Sequence, residues 1–477
     1  MSGAFPYGVV PKMRPLPGRR AVIVSALDVG TSKVVCMVAR LRPTEAGDAL
    51  PDRSHTVELI GVGHQRSRGV KGGKIVDMEA AEQAIRLAVD AAERMAGVQI
   101  ESVIASISAG RLASETFHAE VDIAGRPVED RDIRRVLQAG CVHTVRPNRA
   151  VAHSIPTGFA LDATRGVRDP LGMVGQQLGV DMHIVSAEGA PLRNLTLCVE
   201  RSHLNVETMV AAPYAAGLAS LVDDESEMGV TLIDMGGGAT SVAVFQGGSF
   251  VHCDAVALGG HHVTLDLARG LSTSIDEAER LKTLHASVFP SIADEREQIA
   301  VTPVGEAELE AQNYLPKSMI VKIVKPRVEE TLELVRDRLR ASGHASEARR
   351  VVLTGGACQL TGLPELARRI LDRPVRIGRP LGARGLPEAA KGPAFAAPVG
   401  LLVYPQVAGV EHVDPRRMRR GGSQPQKDTY IHRVGRWLKR ASDRRRGGRR
   451  SAGAKRALRS PRTETTRGWR ENSRGLR

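Results

Sequence analysis

The hydrophobic positions of this chain repeat one pattern twice. An apolar strand runs into Asp-x-Gly, a turn of small residues follows, and a second apolar strand leads away, first over residues 21–40 and again over residues 229–246. The two aspartates, Asp28 and Asp234, lie 206 residues apart, and this spacing indicates two similar halves rather than a local repeat. A third apolar strand, within residues 351–367, breaks at Gly-Gly and leads into a predicted helix. The pattern therefore predicts an α/β protein with two duplicated halves.

The remaining pattern divides the chain into further segments. Short strands around one helix interrupt the first half and predict a small inserted domain. A stretch rich in Pro, Gly, Ser and Arg near the C-terminus predicts a linker. The predicted segments are a disordered N-terminus (1–20), the first half (21–107), the inserted domain (108–185), the return of the first half (186–228), the second half (229–403), the linker (404–430), an amphipathic helix (431–443) and a disordered basic extension (444–477).

Composition narrows the class of protein. Hydrophobic residues make up 42% of the 477 residues and charged residues 25%, which is typical of a soluble globular protein. No apolar run approaches the roughly 18 residues of a membrane-spanning helix, and the first apolar run ends in the Asp28 turn rather than in a signal-peptide cleavage site. The five cysteines are scattered along the chain, so we expect reduced thiols in a cytoplasmic setting.

The positive charge lies almost entirely at the C-terminus. The chain has a net charge of +14, but residues 413–477 hold 22 Lys and Arg against five Asp and Glu, which leaves the other 412 residues at −3. Such an asymmetry points to an anionic partner for the tail, either a membrane or a nucleic acid.

The predicted helix over 431–443 favours the membrane. At about 100° per residue, its apolar side chains fall in one arc and its basic side chains in the opposite arc. The apolar arc contains Ile431, Val434, Trp437, Leu438 and Ala441. The opposite arc contains His432, Arg433, Arg436, Lys439, Arg440 and Asp443, and Gly435 and Ser442 lie at the boundary. This division is typical of a helix that lies in an anionic membrane surface, although an ordinary surface or docking helix has a similar pattern. For the extension beyond it, a solvated segment, a further lipid anchor and a nucleic-acid arm remain open. Nucleic acid is the least favoured, because only Trp469 could stack on bases.

The two repeated turns have the chemistry of a phosphate clamp. Glycine-rich turns bring many backbone N–H groups close to phosphate oxygens, because no Cβ blocks the approach. The first turn supplies Asp28, Gly30, Thr31, Ser32 and Lys33, and the second supplies Asp234, Gly236, Gly237, Gly238 and Thr240. Two carboxylates across a triphosphate suit Mg²⁺ held through water, and a flat backbone at Gly355, Gly356 and Ala357 suits adenosine. A single Asp-x-Gly after a strand is usually only a turn, but the second copy and the later Gly-Gly weaken that alternative.

This ordered trio resembles the actin-like ATPase superfamily, and residues 21–440 resemble its FtsA family of bacterial cell-division proteins. The resemblance includes LIGVGHQRSRGVKGGKIVDMEA from Leu59, HSIPTGFALD from His153, DPLGMVG from Asp169 and PVGLLVY over 398–404. It implies an actin-like fold in which an inserted subdomain 1C, an SHS2 domain, interrupts subdomain 1A, and in which subdomain 2B covers about 265–340. DEAERLK from Asp276 resembles the 2B helix that approaches the nucleotide, which would place Glu279 and Lys282 near the ribose and adenine.

The resemblance also implies a function. FtsA proteins bind ATP, bind the C-terminal peptide of FtsZ through subdomain 2B, self-associate into actin-like protofilaments and recruit later divisome proteins at the cytoplasmic face of the inner membrane at the septum. The candidate FtsZ-binding residues are Lys317, Ser318, Lys325 and Arg327, which could equally be solvated helix residues. Alanines at 211–212 replace the polar group of faster relatives, so we expect slow or negligible hydrolysis. A small-molecule kinase of the same fold and an actin-like pilus-assembly or cell-shape protein are the alternatives.

Overall fold

A computed structural model describes residues 10–44, 53–108, 111–141, 148–304, 313–346 and 349–411. The predicted amphipathic helix, the basic extension and most of the predicted linker lie outside these residues. No helix among the described residues is long and apolar enough to cross a membrane.

The first half begins with three antiparallel strands and one long helix. Strands β1 and β2 are buried along most of their length because helices cover both faces of their sheet. Helix α1 begins after Asp77, whose carboxylate accepts a hydrogen bond from the Ala80 N–H, and it ends at Gly97 in the left-handed region. These elements are β1 (Val22–Val29), β2 (Lys33–Pro43), β3 (His55–Arg66), β4 (Val70–Lys71), β5 (Lys74–Ile75), α1 (Met78–Ala96) and β6 (Ser102–Ile107).

A small α+β domain is then inserted. Its elements are β7 (Ala113–Asp122), α2 (Asp130–Gly140), β8 (Arg149–Leu161), β9 (Thr164–Val167) and β10 (Gln177–Glu188). Strand β10 pairs with both β7 and β8 in antiparallel register, and α2 packs on this sheet around a separate hydrophobic core that includes Val136, Leu137 and Phe159. The domain therefore has its own packed interior.

The chain returns to the first half through α3 (Gly189–Arg201), β11 (Asn205–Ala211), α4 (Ala212–Ser220) and α5 (Asp223–Met228). Strand β11 lies beside β6, and the sheet has the order β11-β6-β1-β2-β3. Strands β1, β6 and β11 are parallel, so their carboxyl ends meet at one edge.

The second half repeats this arrangement around its own core. Strand β12 pairs antiparallel with β13 and parallel with β17, as β1 does with β2 and β6. The elements are β12 (Val230–Met235), β13 (Thr240–Gln246), β14 (Ser249–Val256), α6 (Gly260–Gly270), α7 (Ile275–His285), β15 (Gln298–Val301), β16 (Asn313–Pro316), α8 (Lys317–Ala341), β17 (Arg350–Thr354), α9 (Leu363–Leu371), β18 (Val375–Ile377), β19 (Ala383–Arg384) and α10 (Ala396–Val403). Strand β19 returns to pair with β3 of the first half. The predicted duplicated α/β architecture is confirmed.

Both predicted flexible segments differ from the structure where it describes them. Val10 and Met13 are only 5% and 6% exposed and pack into the core of the first half, although residues 1–20 were expected to be disordered. Tyr404 and Glu411, from the predicted linker, are 3% and 2% exposed. The average composition of each segment is rich in Pro and Gly and predicts disorder. It therefore does not reveal the few side chains that are buried.

Candidate functional site

The two Asp-x-Gly turns have the same backbone closure. The Gly30 N–H donates to the Lys33 carbonyl at 2.9 Å, and the Gly236 N–H donates to the Ala239 carbonyl at 3.0 Å. Each turn thus joins the antiparallel strands of its own half, and the doubled sequence pattern corresponds to doubled geometry.

The two turns also lie against each other. A Cβ placed on Gly237 would come 3.3 Å from the Ser32 Oγ, and one placed on Gly238 would overlap the Thr31 hydroxyl. Thr31 Oγ1 accepts a hydrogen bond from the Gly73 N–H at 2.9 Å, so the β4–β5 hairpin joins the same contact. Thr240 is different, because its buried hydroxyl donates to the Leu258 carbonyl at 2.8 Å and supports the turn from within the protein.

Asp28, which is 9% exposed, forms a charged cluster at this contact with the half-buried Lys33 and Asp234. Burial raises the pKa of Asp28, against the opposing effects of the Ser106 hydroxyl, which donates to its carboxylate at 2.5 Å, and of Lys33. Burial and the nearby Asp28 raise the pKa of Asp234 to about 7, against the opposing effect of Lys33. When both carboxylates are ionised, the single ammonium group of Lys33 can balance only one of them, and the remaining negative charge fits a hard divalent cation such as Mg²⁺ held with few protein oxygens.

Lys33 connects the cluster to the far end of the described chain. Its ammonium group donates to the Ala394 carbonyl at 2.5 Å and lies 3.7 Å from the centre of the Phe395 ring. Burial lowers the pKa of Lys33, and the two aspartates oppose this effect. No motif in the sequence marks Ala394 or Phe395, which are about 360 residues away from Lys33 along the chain.

Gly355 closes the site beside Asp234. It has φ of +85°, and a Cβ there would overlap both Asp234 Oδ1 and the Met235 carbonyl. Gly356 and Ala357 begin the next short turn, and a Cβ on Gly260 would lie 3.0 Å from the Ala357 Cβ. Because the Gly260 N–H donates to the Gly236 carbonyl at 2.9 Å, the start of α6 is fixed to the second turn.

Glu279 and Lys282 lie together next to the start of α6. Lys282 Nζ donates to Glu279 Oε2 at 2.6 Å, to Thr264 Oγ1 at 2.9 Å and to the Gly260 carbonyl at 3.3 Å. Burial alone would raise the pKa of Glu279, but hydrogen bonds from Lys282 and Thr264 outweigh it and lower the pKa. The structure thus brings both residues to the edge of the site that Gly260 and Ala357 form.

Ala211 and Ala212 are buried in the first half. The Ala211 N–H donates to His153 Nε2 at 2.9 Å, and neither side chain offers an acceptor for a water proton.

The candidate peptide-binding residues lie elsewhere, on α8. Lys317 pairs with Glu297 at 2.9 Å, Lys325 with Glu329 at 3.7 Å and Arg327 with Asp266 at 2.5 Å. Ser318 is 4% exposed. Each of these cations therefore already has a carboxylate partner within the chain.

Comparisons with known proteins agree with this architecture. Residues 231–400 match the family described as cell division protein FtsA, and residues 109–186 match the SHS2 domain inserted in FtsA. The cell division protein FtsA of Rhizobium meliloti (strain 1021) is 55% identical over 441 residues, which cover 92% of this chain and 98% of that protein. The chain belongs to the FtsA family. The FtsA of Escherichia coli (strain K12) is 32% identical over 429 residues, 88% of this chain and 98% of that protein.

Membership in the FtsA family settles the class of protein. The actin-like fold and the SHS2 domain that the sequence predicted are confirmed. A solved PilM-PilN type IV pilus biogenesis complex covers 82% of this chain and 99% of the matched chain with a TM-score of 0.54 and 16% identity, which is a likeness of fold alone. Because the chain belongs to the FtsA family, the alternatives of a small-molecule kinase and of a pilus-assembly or cell-shape protein are set aside in favour of a cell-division protein.

Sequence reasoning missed several residues of the site. Ser106, Thr264, Ala394 and Phe395 contact the predicted residues through side chains or carbonyls. Of these, only Ser106 carried a signal, because it lies in the short, mostly apolar run over residues 103–107, which is typical of a buried strand. The glycine pair that starts α6 carried the same small-residue signature as the other turns.

Proposed function

We propose that this FtsA family member binds ATP with Mg²⁺ between its two glycine-rich turns. The observation that carries the proposal is the charged cluster of Asp28, Asp234 and Lys33 at the point where the turns meet. The cation that accompanies a bound triphosphate would supply the positive charge that this cluster lacks. Mg²⁺, when bound, would neutralise phosphate charge between Asp28 and Asp234.

The protein's own groups would do the binding. The backbone N–H groups around Gly30 and Gly236 would face phosphate oxygens, and Lys33 would add a cation at the same place. Gly356, Ala357 and Gly260 leave a side-chain-poor edge for the nucleoside, with Glu279 and Lys282 beside it.

Equilibrium titration with Mg·ATP tests this proposal. Asp234→Asn removes one carboxylate of the cluster, and we expect affinity to fall at least about tenfold, because a hydrogen bond to a charged group contributes roughly 1.5–3 kcal/mol. Asp90→Asn is the matched control, because Asp90 is an exposed residue of α1 that pairs with Arg94. Equal affinities for the wild type and Asp234→Asn would overturn the proposal.

We also propose that ATP hydrolysis is slow and that the bound nucleotide mainly stabilises the folded protein. Ala211 and Ala212 are buried and carry no group that could position water. Steady-state phosphate release at saturating ATP measures this directly. A turnover on the order of ten per second, typical of an ordinary enzyme, would contradict it.

In the cell, we propose that the protein anchors the FtsZ ring to the cytoplasmic face of the inner membrane and helps to recruit later divisome proteins. Membership in a cell-division family and the amphipathic pattern over 431–443 support this role. Co-sedimentation with anionic vesicles should be strong for the full chain and weak for a chain ending at Thr429. Equal binding by the two chains would refute the tether.

For FtsZ, we propose that its acidic C-terminal peptide binds along α8. Lys317, Lys325 and Arg327 already pair with carboxylates of the chain. The carboxylates of the peptide would therefore displace these intramolecular partners rather than bind unpaired cations. Lys325→Ala should weaken binding of the isolated FtsZ peptide, while Arg86→Ala on α1 should leave it unchanged. Self-association into actin-like protofilaments completes the proposal, and sedimentation velocity with and without Mg·ATP tests it.

A further inference from the structure

Four distant stretches of the chain meet around one buried carboxylate, that of Glu411. Glu411 is 2% exposed and lies at the end of the described chain, with 66 residues after it. Its Oε1 is 3.0 Å from His153 Nδ1, and its backbone carbonyl accepts a hydrogen bond from Lys12 Nζ at 2.5 Å. A buried carboxylate is costly unless it is hydrogen-bonded, so this set of contacts is a built feature of the fold.

The direction of these hydrogen bonds is fixed by the backbone. His153 Nε2 accepts from the Ala211 N–H at 2.9 Å, so that nitrogen has no proton. The ring proton is then on Nδ1, which donates to Glu411. The imidazole therefore links Glu411 to the Ala211 amide through one defined tautomer.

Each end of this link lies at a structurally sensitive place. His153 belongs to β8 of the SHS2 domain and Ala211 is the last residue of β11. In the sheet, Val210 of β11 pairs with Ser106 of β6, whose hydroxyl donates to Asp28. The link therefore reaches the strand ends that carry the proposed nucleotide site.

Neighbouring side chains hold the link closed to water. The Tyr214 and Tyr404 rings lie edge-on to His153, at centroid distances of 5.1 Å and 6.0 Å. Burial, together with the nearby Glu411, raises the pKa of Tyr404 well above its ordinary value. The Val10 N–H donates to the Val151 carbonyl at 3.0 Å, so the N-terminal segment covers the same junction.

We infer that Glu411 is a latch that couples the root of the C-terminal tail to the SHS2 domain and to the nucleotide-facing end of the first-half sheet. A force or a binding event on the tail acts first on Glu411. Through His153 it then acts on β8 and on the Ala211 amide. The latch itself stands on the contacts above, while its use by a membrane-bound tail rests on the proposed tether.

Hydrogen exchange of the full chain, without nucleotide or vesicles, tests the latch. Glu411→Ala should speed exchange of the Ala211 amide at least about tenfold, and Glu411→Gln, which keeps an acceptor oxygen, should have a smaller effect. Glu388→Ala is the control, because Glu388 is an exposed carboxylate that pairs with Lys391. His153→Ala and the His153→Ala/Glu411→Ala double variant should exchange alike. Unchanged exchange in Glu411→Ala, or additive effects in the double variant, would overturn the inference.

A second measurement separates the latch from the tether. With vesicles containing phosphatidylglycerol, the wild type should show altered exchange over residues 149–155 and 208–214, and Glu411→Ala should bind vesicles without that alteration. Altered exchange that persists in Glu411→Ala would contradict coupling through the latch. If the full chain does not sediment with the vesicles, the tether proposal fails, and the vesicle-free exchange alone decides the latch.

Discussion

At the scale of single residues, we expect the Asp234 carboxylate to favour binding of Mg·ATP but to destabilise the nucleotide-free fold. Burial and Asp28 raise its pKa to about 7, so above that pH its charge destabilises the empty fold, and protonation below it relieves the cost. Asp234→Asn mimics the protonated group. We therefore expect the variant to melt a few degrees higher than the wild type at pH 8 while it loses affinity for Mg·ATP.

The difference between the two proteins should depend on pH in a defined direction. The folded pKa lies above the unfolded value, so the advantage of Asp234→Asn should be largest above pH 7 and shrink as pH falls towards 4. Differential scanning fluorimetry of both proteins without nucleotide gives this comparison. An advantage that grows at low pH would contradict the assignment of the raised pKa to Asp234.

His183 and His252 lie where the SHS2 domain meets the second half, and we expect them to make stability change with pH in the opposite direction. Burial lowers the pKa of His183 to about 3 and that of His252 to about 4. The unfolded chain therefore binds more protons than the fold below about pH 6.5, and these groups make stability fall as pH drops from there towards 4.

Replacing His183 tests this second trend. His183 is fully buried, with its ring edge-on to Phe250 at 4.8 Å, so His183→Phe keeps an aromatic ring in place. The free energy of unfolding of this variant should decline less steeply between pH 6.5 and 4 than that of the wild type, as measured by urea denaturation. Parallel declines in the two proteins would show that His183 does not contribute.

At the scale of elements, the Gly355 turn is set by close approach as well as by backbone angle. Gly355 and Gly343 have similar positive φ values, +85° and +79°, but a Cβ on Gly343 would meet no atom within 4 Å. Gly343→Ala should therefore cost only about 1 kcal/mol, whereas Gly355→Ala also overlaps Asp234 and should cost several times more and abolish Mg·ATP binding. Equal free energies of unfolding would contradict the close approach.

The same elements show how far the sequence reaches. The strand–turn–strand units could be predicted, because alternation and glycine turns are local properties of the chain. The contact of Lys33 with Ala394 could not, because it depends on how α10 and its preceding turn pack against the first half. The burial of Val10, Met13, Tyr404 and Glu411 escaped for a related reason, since a few buried side chains outweigh a composition typical of linkers.

At the scale of the whole molecule, the net positive charge lies in the C-terminal tail. The body up to residue 412 has a net charge of −3 and the tail has +17, so attraction to an anionic surface acts on the tail alone. The described body ends at Glu411, beside the SHS2 domain. If the tail holds the protein at a membrane, the tail therefore joins the folded body at the junction between the SHS2 domain and the first half.

Charge and apolar burial can be separated within the proposed tethering helix. Leu438→Glu and Ser442→Glu change the net charge equally, but only Leu438 lies on the predicted apolar face. If the helix lies in the membrane surface, Leu438→Glu should abolish co-sedimentation with anionic vesicles at 0.15 M salt, while Ser442→Glu should lose only the contribution of about one charge. If the two variants bind equally well, the attraction is electrostatic alone and the tail does not insert. Raising the salt to 0.5 M then separates the cases further, because screening weakens a purely electrostatic tail far more than one that also buries Trp437 and Leu438.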